Sequence, residues 1–171
     1  TIVDGDTVDL TNINRQLPAL TSTVGKAKVE VVGARLLDIN PELKLTQLNQ
    51  FLNPEDMETV FDDQTYDYVL DCIDSVSPKV TLIMNARRRK VKIVSCMGAG
   101  GKMDPSKVLV RDIHKIQSCH LAKQVRKRLK KENIDKGIRC VFSTEIQNEE
   151  ILKMNDGTNF KRSFYGTISY I

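Results

Sequence analysis

The chain has 171 residues, 40% apolar and 28% charged, which is enough for a packed core and argues against disorder. Its 26 Lys and Arg against 22 Asp and Glu leave a net charge of +4, too small to define a partner by itself. No apolar run nears the roughly 18 residues of a membrane span, and four widely separated cysteines with no C-x-x-C pair argue against a disulfide scaffold or a zinc knuckle.

In chain order, Thr1 to Asp4 reads as the second half of a buried strand. Thr23 is expected to cap a helix through about Ile39, which Pro41 ends. Leu43 to Leu48 alternates apolar and polar residues, as a half-buried strand does. Asn53-Pro54-Glu55-Asp56 has the cap, the proline and the first-turn acids of a helix start. Tyr66 to Cys72, Val91 to Met97, Lys107 to Ile113 and Ile138 to Phe142 read as strands, and Ser77 to Lys90 as a helix. Cys119 to Lys131 is a two-faced helix, with Lys123, Arg126, Lys127 and Lys130 on one face and Leu121, Val125 and Leu129 opposite. Gln147 to Arg162 is polar and reads as a loop.

Strand and helix alternate, so the expected fold is α/β: three-layer, Rossmann-like, with a mainly parallel sheet and helices on both faces. Ligands in such sheets sit at the carboxyl ends of the strands, here Asp4, Asp74 and Gly98-Ala99-Gly100-Gly101. The abrupt apolar ends predict that residues 1–171 are one domain truncated at both termini. Cys72 and Cys96 lie in apolar runs, where a buried reduced thiol is expected, as in a reducing compartment. That makes cytoplasm the default location, or a mitochondrion in a eukaryotic version.

Three clusters carry chemistry. Asp4 closes a strand where a carboxylate can accept from ribose hydroxyls, and Thr11-Asn12-Ile13-Asn14-Arg15-Gln16 follows, with Arg15 a forked donor suited to phosphate. Gly25-Lys26-Ala27-Lys28 opens a helix, where a bound anion would compensate two lysines at a positive helix end. Asp71-Cys72-Ile73-Asp74-Ser75 sets Asp74 just past a strand, placed to hold Mg²⁺. Singly, each has a plainer reading as a turn, a surface lysine or a helix cap.

In this order the clusters resemble the adenylate-forming family related to ubiquitin-activating enzymes, from Thr1 to about Glu145. The resemblance implies ATP and Mg²⁺ as cofactors. It also implies Asp4 on the ribose, Thr11, Asn12 and Arg15 at the phosphates, Lys28 as the phosphate-binding lysine, and Asp74 with Ser75 beside Mg²⁺ and the reacting phosphate. Arg15, Lys28 and Asp74 would be the catalytic set. The family's glycine-rich loop would precede Asp4, so this stretch alone is expected to bind nucleotide poorly.

Within the family, three segments resemble the branch of tRNA threonylcarbamoyladenosine dehydratases. They are Asp74-Ser75-Val76-Ser77-Pro78-Lys79, Gly98 to Gly101 with Asp104-Pro105-Ser106, and Cys140 to Glu145. That branch uses ATP to cyclise the modification on adenosine 37 of tRNA. The zinc-binding relatives carry paired C-x-x-C motifs, so no zinc is expected here. Lys123, Arg126, Lys127 and Lys130 could then meet the RNA backbone, although a solvated face is the commoner reason for such a stripe. A homodimer is also implied. The alternative activity is adenylation of the C-terminal Gly-Gly of a ubiquitin-like sulfur carrier, a relay in which Cys140 would be the candidate thiol. A buried structural role for Cys140 is the simpler reading.

Overall fold

The computed structural model describes residues 1–62 and 64–146. The Gln147–Arg162 loop and the Ser163–Tyr170 run lie outside the described residues. The chain divides into two compact units, residues 1–53 and 54–171.

In the first unit, β1 (Ile2–Val3) pairs in parallel with β2 (Gln47–Leu48). Between them runs α1 (Lys28–Ile39). The helix starts five residues after the Thr23 cap expected from sequence. The Thr23 hydroxyl is taken up by a preceding turn, accepting from the Leu20 amide at 2.8 Å and donating to the Pro18 carbonyl at 2.7 Å. Gly25 then adopts φ +84°, a left-handed conformation open to glycine that ends any helix begun before it. Ala27 bridges to Thr7, and the first helical amide, Lys28 N–H, donates to the Asp6 carbonyl at 2.9 Å in place of a side-chain cap. Val8, Ala19, Ala27 and Val29 form the apolar centre of this unit.

The second unit holds a four-stranded sheet in the order β3-β4-β6-β5, formed by β3 (Tyr68–Asp71), β4 (Lys92–Cys96), β5 (Val108–Asp112) and β6 (Arg139–Ser143). The β3–β4 and β4–β6 pairs are parallel, and β5 runs antiparallel to β6. Its helices are α2 (Thr59–Asp62), α3 (Val76–Arg88) and α4 (His120–Lys131). The helix expected from Asn53 closes only at Thr59, in the stretch where Met57 and Phe61 can be buried. The polar run before it folds as turns, because propensity without a buried face does not sustain a helix.

The mixed α/β expectation is met, with mostly parallel pairing. Val80, Leu82, Ile83 and Ala86 of α3 join Val125 and Leu129 of α4 and Ile138, Cys140 and Phe142 in the core of the second unit. As expected, Cys140 is buried; its thiol donates to the Ile138 carbonyl.

Gly5 tests how tightly the first unit is built. A Cβ there would stand 2.6 Å from the Phe51 backbone nitrogen, which cannot move as a flexible side chain could. Gly5→Ala is expected to cost about 1–3 kcal/mol as an overpacking change, read as a lower denaturant midpoint.

Candidate functional site

Asp4 follows the carboxyl end of β1. Its Oδ1 accepts the Asp6 amide at 2.8 Å, closing a tight turn after the strand. Asp6 was not singled out in the sequence, yet it organises this corner. Its carboxylate holds the Lys28 ammonium at 2.8 Å while its carbonyl receives the Lys28 amide. The Lys28 side chain is 14% exposed, so Lys28 is aimed by Asp6 and three-quarters or more withdrawn from solvent.

The Thr11–Arg15 segment is ordered by a second residue that sequence reading passed over. Asp9 caps a 3₁₀ turn over Leu10–Asn12, accepting the Thr11 amide at 2.8 Å and the Thr11 hydroxyl. Asn12 is buried and returns the favour through its Oδ1, which accepts the Asp9 amide at 3.1 Å. This reciprocal cap places Asn12 as a scaffold for the segment. Arg15 Nη1 donates to the Thr11 carbonyl and to Asn14 Oδ1, both at 3.0 Å. Those bonds use the donors on one nitrogen of a five-donor fork.

In the second unit, Asp74 lies in the turn between β3 and α3 and is exposed, as is Ser75. Asp74 Oδ1 accepts the Ser75 hydroxyl at 3.2 Å, and Ser75 is the N-cap residue of α3. Asp4 and Asp74 thus each follow the carboxyl end of a parallel strand, in separate sheets.

What fixes the Asp74 turn is a buried triad. Lys79 Nζ sits 2.8 Å from Asp71 Oδ2 and 3.3 Å from Ser95 Oγ, and the Ser95 hydroxyl donates to the same carboxylate oxygen. Asp71, Lys79 and Ser95 are each 0% exposed. The other oxygen, Asp71 Oδ1, accepts the Ile73 amide at 3.0 Å and so starts the turn toward Asp74. The acid of D-C-I-D-S that lies in the strand is therefore structural, while the second acid is exposed to solvent. A lysine inside α3 carries no signal of burial in sequence, because only the strand opposite reveals its partner.

Two motifs far apart in sequence meet in this unit. Lys102, 1% exposed, donates to the Ser143 carbonyl at 2.8 Å. The Glu145 carboxylate accepts the Met103 amide at 3.0 Å and the Asp104 amide at 2.9 Å, and Asp104 in turn caps the Pro105–Lys107 turn. The Gly98–Gly101 loop is thereby tied to the end of β6. Burial pushes the Lys102 ammonium below its usual range, against the pull of Cys119 and Glu145. Gly98, Lys102, Cys119, His120 and Leu121 line a cavity of about 140 Å³.

The basic stripe of α4 divides in two. Lys123, Lys127 and Lys130 are exposed. Arg126 departs from the free face expected of it: its Nη1 donates to the Ile113 and Ile116 carbonyls, both at 2.9 Å. Ala122, Val125 and Leu129 turn inward, and Leu121 is half-buried.

The cysteines also need correction. Cys72 is exposed, not buried, and Cys96 is half-buried. The strand ends at Asp71, so Cys72 falls outside the apolar register that would have covered it. The hydrogen bond from Cys72 brings the Cys96 thiol down to about 7, helped by Lys79 and opposed by burial.

The ThiF family model matches residues 1–168. The chain is 44% identical over 144 residues to the tRNA threonylcarbamoyladenosine dehydratase of Bacillus subtilis, covering 84% of this chain and 56% of that protein. The crystal structure of E. coli tRNA N6-threonylcarbamoyladenosine dehydratase with ATP superimposes with a TM-score of 0.79 at 40% identity, over 85% of this chain and 62% of that one. A match to E. coli molybdopterin-synthase adenylyltransferase is shorter, 36% identical over 61% of this chain. The chain spans 56% of the Bacillus subtilis dehydratase, 60% of the E. coli one and 34% of the two yeast dehydratases that it matches.

Two outcomes follow from this geometry. Lys79→Met should destabilise the second unit by about 3–5 kcal/mol, because it strands a buried carboxylate; denaturant titration reads it. Alkylation of Cys96 by iodoacetamide should accelerate as pH rises through about 7, since a lowered thiol supplies thiolate above that pH. Peptide mapping of the adduct against pH checks the midpoint.

Proposed function

The chain belongs to the ThiF family, and from that premise we propose that it is the adenylating part of an ATP-dependent tRNA threonylcarbamoyladenosine dehydratase. The observation that carries the reading is the 44% identity to the Bacillus subtilis dehydratase over 144 residues, 84% of this chain. The weaker and shorter likeness to molybdopterin-synthase adenylyltransferase favours tRNA over a sulfur-carrier protein as the acyl substrate.

The chemistry asked of the site is activation of a carboxylate. The threonyl carboxylate attacks the α-phosphorus, pyrophosphate leaves, and a nucleophile of the modification itself then closes the ring as AMP departs. Asp4 would accept from the ribose hydroxyls. Arg15 and Lys28 would meet the phosphates as charged donors, whose value lies in being aimed before the reaction. Asp6 does that aiming for Lys28, whose ammonium it holds at 2.8 Å.

Asp74 fits Mg²⁺: it is an exposed hard-oxygen donor, and this ion takes one or two carboxylates with waters and phosphate oxygens. Among the described residues no group of three or more His, Cys, Asp or Glu side chains converges, so Asp74 with the triphosphate would hold it. The ion would neutralise phosphate charge as the α-phosphorus is attacked.

Lys123, Lys127 and Lys130 are the proposed contacts to the tRNA backbone, and Arg126 serves the fold instead. We place the protein in the cytoplasm as a homodimer, in line with the family resemblance. No helix among the described residues is long and apolar enough to cross a membrane.

ATP–pyrophosphate exchange by the full-length protein tests the activity. Exchange should depend on tRNA bearing threonylcarbamoyladenosine and vanish in Asp74→Ala while the fold is kept. Exchange supported by a Gly-Gly carrier protein instead would replace this reading with the sulfur-carrier one. Alanine at Lys123, Lys127 and Lys130 together should lower the salt slope of tRNA binding by about three units and spare adenylation. Arg126→Ala should show mainly as a stability loss of about 1–3 kcal/mol in denaturant titration.

A further inference from the structure

We propose that Cys72 and Cys96 form a reversible, peroxide-driven disulfide at the base of the turn that carries Asp74. Strand register brings the two together across 24 residues of sequence. Asp71 pairs with Ser95 in the last rung of the parallel β3–β4 ladder, and Cys72 and Cys96 are the residues that immediately follow it on the two segments. Neighbouring strands lie about 4.8 Å apart, inside the roughly 4.4–6.8 Å that a disulfide accepts between Cα atoms.

Facing selects this pair among the four cysteines. Side chains alternate along a strand, so within β4 Ser95 points to the face that holds Lys79 and Cys96 to the other, while Cys72 is exposed just past the end of β3. Cys140 is in register with Ser95 and belongs to the Lys79 face, away from Cys96. Cys72 is exposed and Cys96 half-buried, so a small oxidant reaches them.

The steps balance with hydrogen peroxide as the oxidant. The Cys96 thiolate attacks one peroxide oxygen, the O–O bond breaks, and hydroxide leaves, giving a sulfenic acid. The Cys72 sulfur then attacks the Cys96 sulfur. The S–O bond breaks, and the oxygen leaves as water with the remaining proton. Two thiols lose two electrons, and the peroxide becomes two waters. A dithiol reverses the bond by exchange.

The bond would tie the carboxyl end of β3 to that of β4. Asp74 stands two residues beyond Cys72, so the turn that presents it would lose its freedom to meet a ligand. That consequence rests on the proposed adenylation activity; the bond itself does not.

The test treats reduced full-length protein with hydrogen peroxide, blocks remaining thiols, and maps the peptides by mass spectrometry without reduction. In parallel, ATP–pyrophosphate exchange is followed before peroxide, after it, and after dithiothreitol. The expected result is a Cys72–Cys96 linked peptide, with loss of exchange that dithiothreitol returns. Cys72→Ser and Cys96→Ser should each abolish the link and keep exchange through peroxide treatment. Unlinked thiols, Cys96 taken only to sulfinic acid, or a link from Cys96 to Cys119 or Cys140 would overturn the proposal. A mapped link with exchange unchanged would overturn its effect on the Asp74 turn. Absence of exchange in the reduced protein would count against the proposed activity, and the peptide map would still decide the bond.

Discussion

A lysine and an aspartate with no access to water hold the second unit in register. Lys79 comes from α3, Asp71 from the end of β3, and Ser95 from β4, so one cluster joins helix to two strands. Two isolated charges in such a place would each carry several kcal/mol of desolvation cost. Here Lys79 and Asp71 offset one another, and the serine hydroxyl and the Ile73 amide take up the carboxylate's remaining capacity. The arrangement tolerates little sliding of α3 along the sheet. Because Asp71 also accepts the Ile73 amide, the same cluster decides where the chain leaves β3 and how Asp74 is shown to solvent. The position of the acid proposed for chemistry thus depends on an acid that does none.

The same economy recurs at other loops. Several of the candidate segments are held by a carboxylate that accepts backbone amides: Asp4 and Asp9 in the first unit, Asp104 and Glu145 in the second. Such bonds are charge-assisted and local, so they shape a loop without needing apolar burial. At Asp104 the Ser106 hydroxyl and Lys107 hold the carboxyl below its usual range. Lys28 follows a related logic with the opposite charge. Its pair with Asp6 is partly exposed and contributes little stability, about 0–1 kcal/mol, but it fixes a direction for the ammonium.

On α4 one helix face serves two purposes. Three lysines project to solvent, and the arginine among them is consumed by the carbonyls of Ile113 and Ile116. A guanidinium can bridge two carbonyls from a half-buried position, which a lysine's single ammonium does less well. Periodicity groups these four side chains together, since it reports only angle around the helix axis. It is blind to whether the neighbouring segment offers acceptors.

Much was legible in the residues themselves. Alternation of periods gave the mixed α/β architecture and most element positions to within a few residues, because burial imposes those periods on any chain that folds this way. The order and spacing of Asp4, Asn12, Arg15, Lys28 and Asp74 mark the family in the sequence alone. Cys140 as a buried thiol also followed from its strand. Elsewhere local signals lost to longer-range ones. Thr23 and Asn53 look like caps, but a turn at Pro18–Leu20 claims the first, and apolar burial at Met57 and Phe61 delays the second. Cys72 lies in an apolar run, yet the strand ends one residue short of it and leaves it exposed. Asp6, Asp9, Lys79, Ser95, Lys102 and Glu145 had no visible role, since each acts on a partner that chain order does not name. Sequence by itself determined the fold class and the family, which are written in local pattern and spacing. Which carboxylate is buried, which lysine is paired and which thiols are neighbours were decided only by tertiary structure, because strand register and helix docking set those distances.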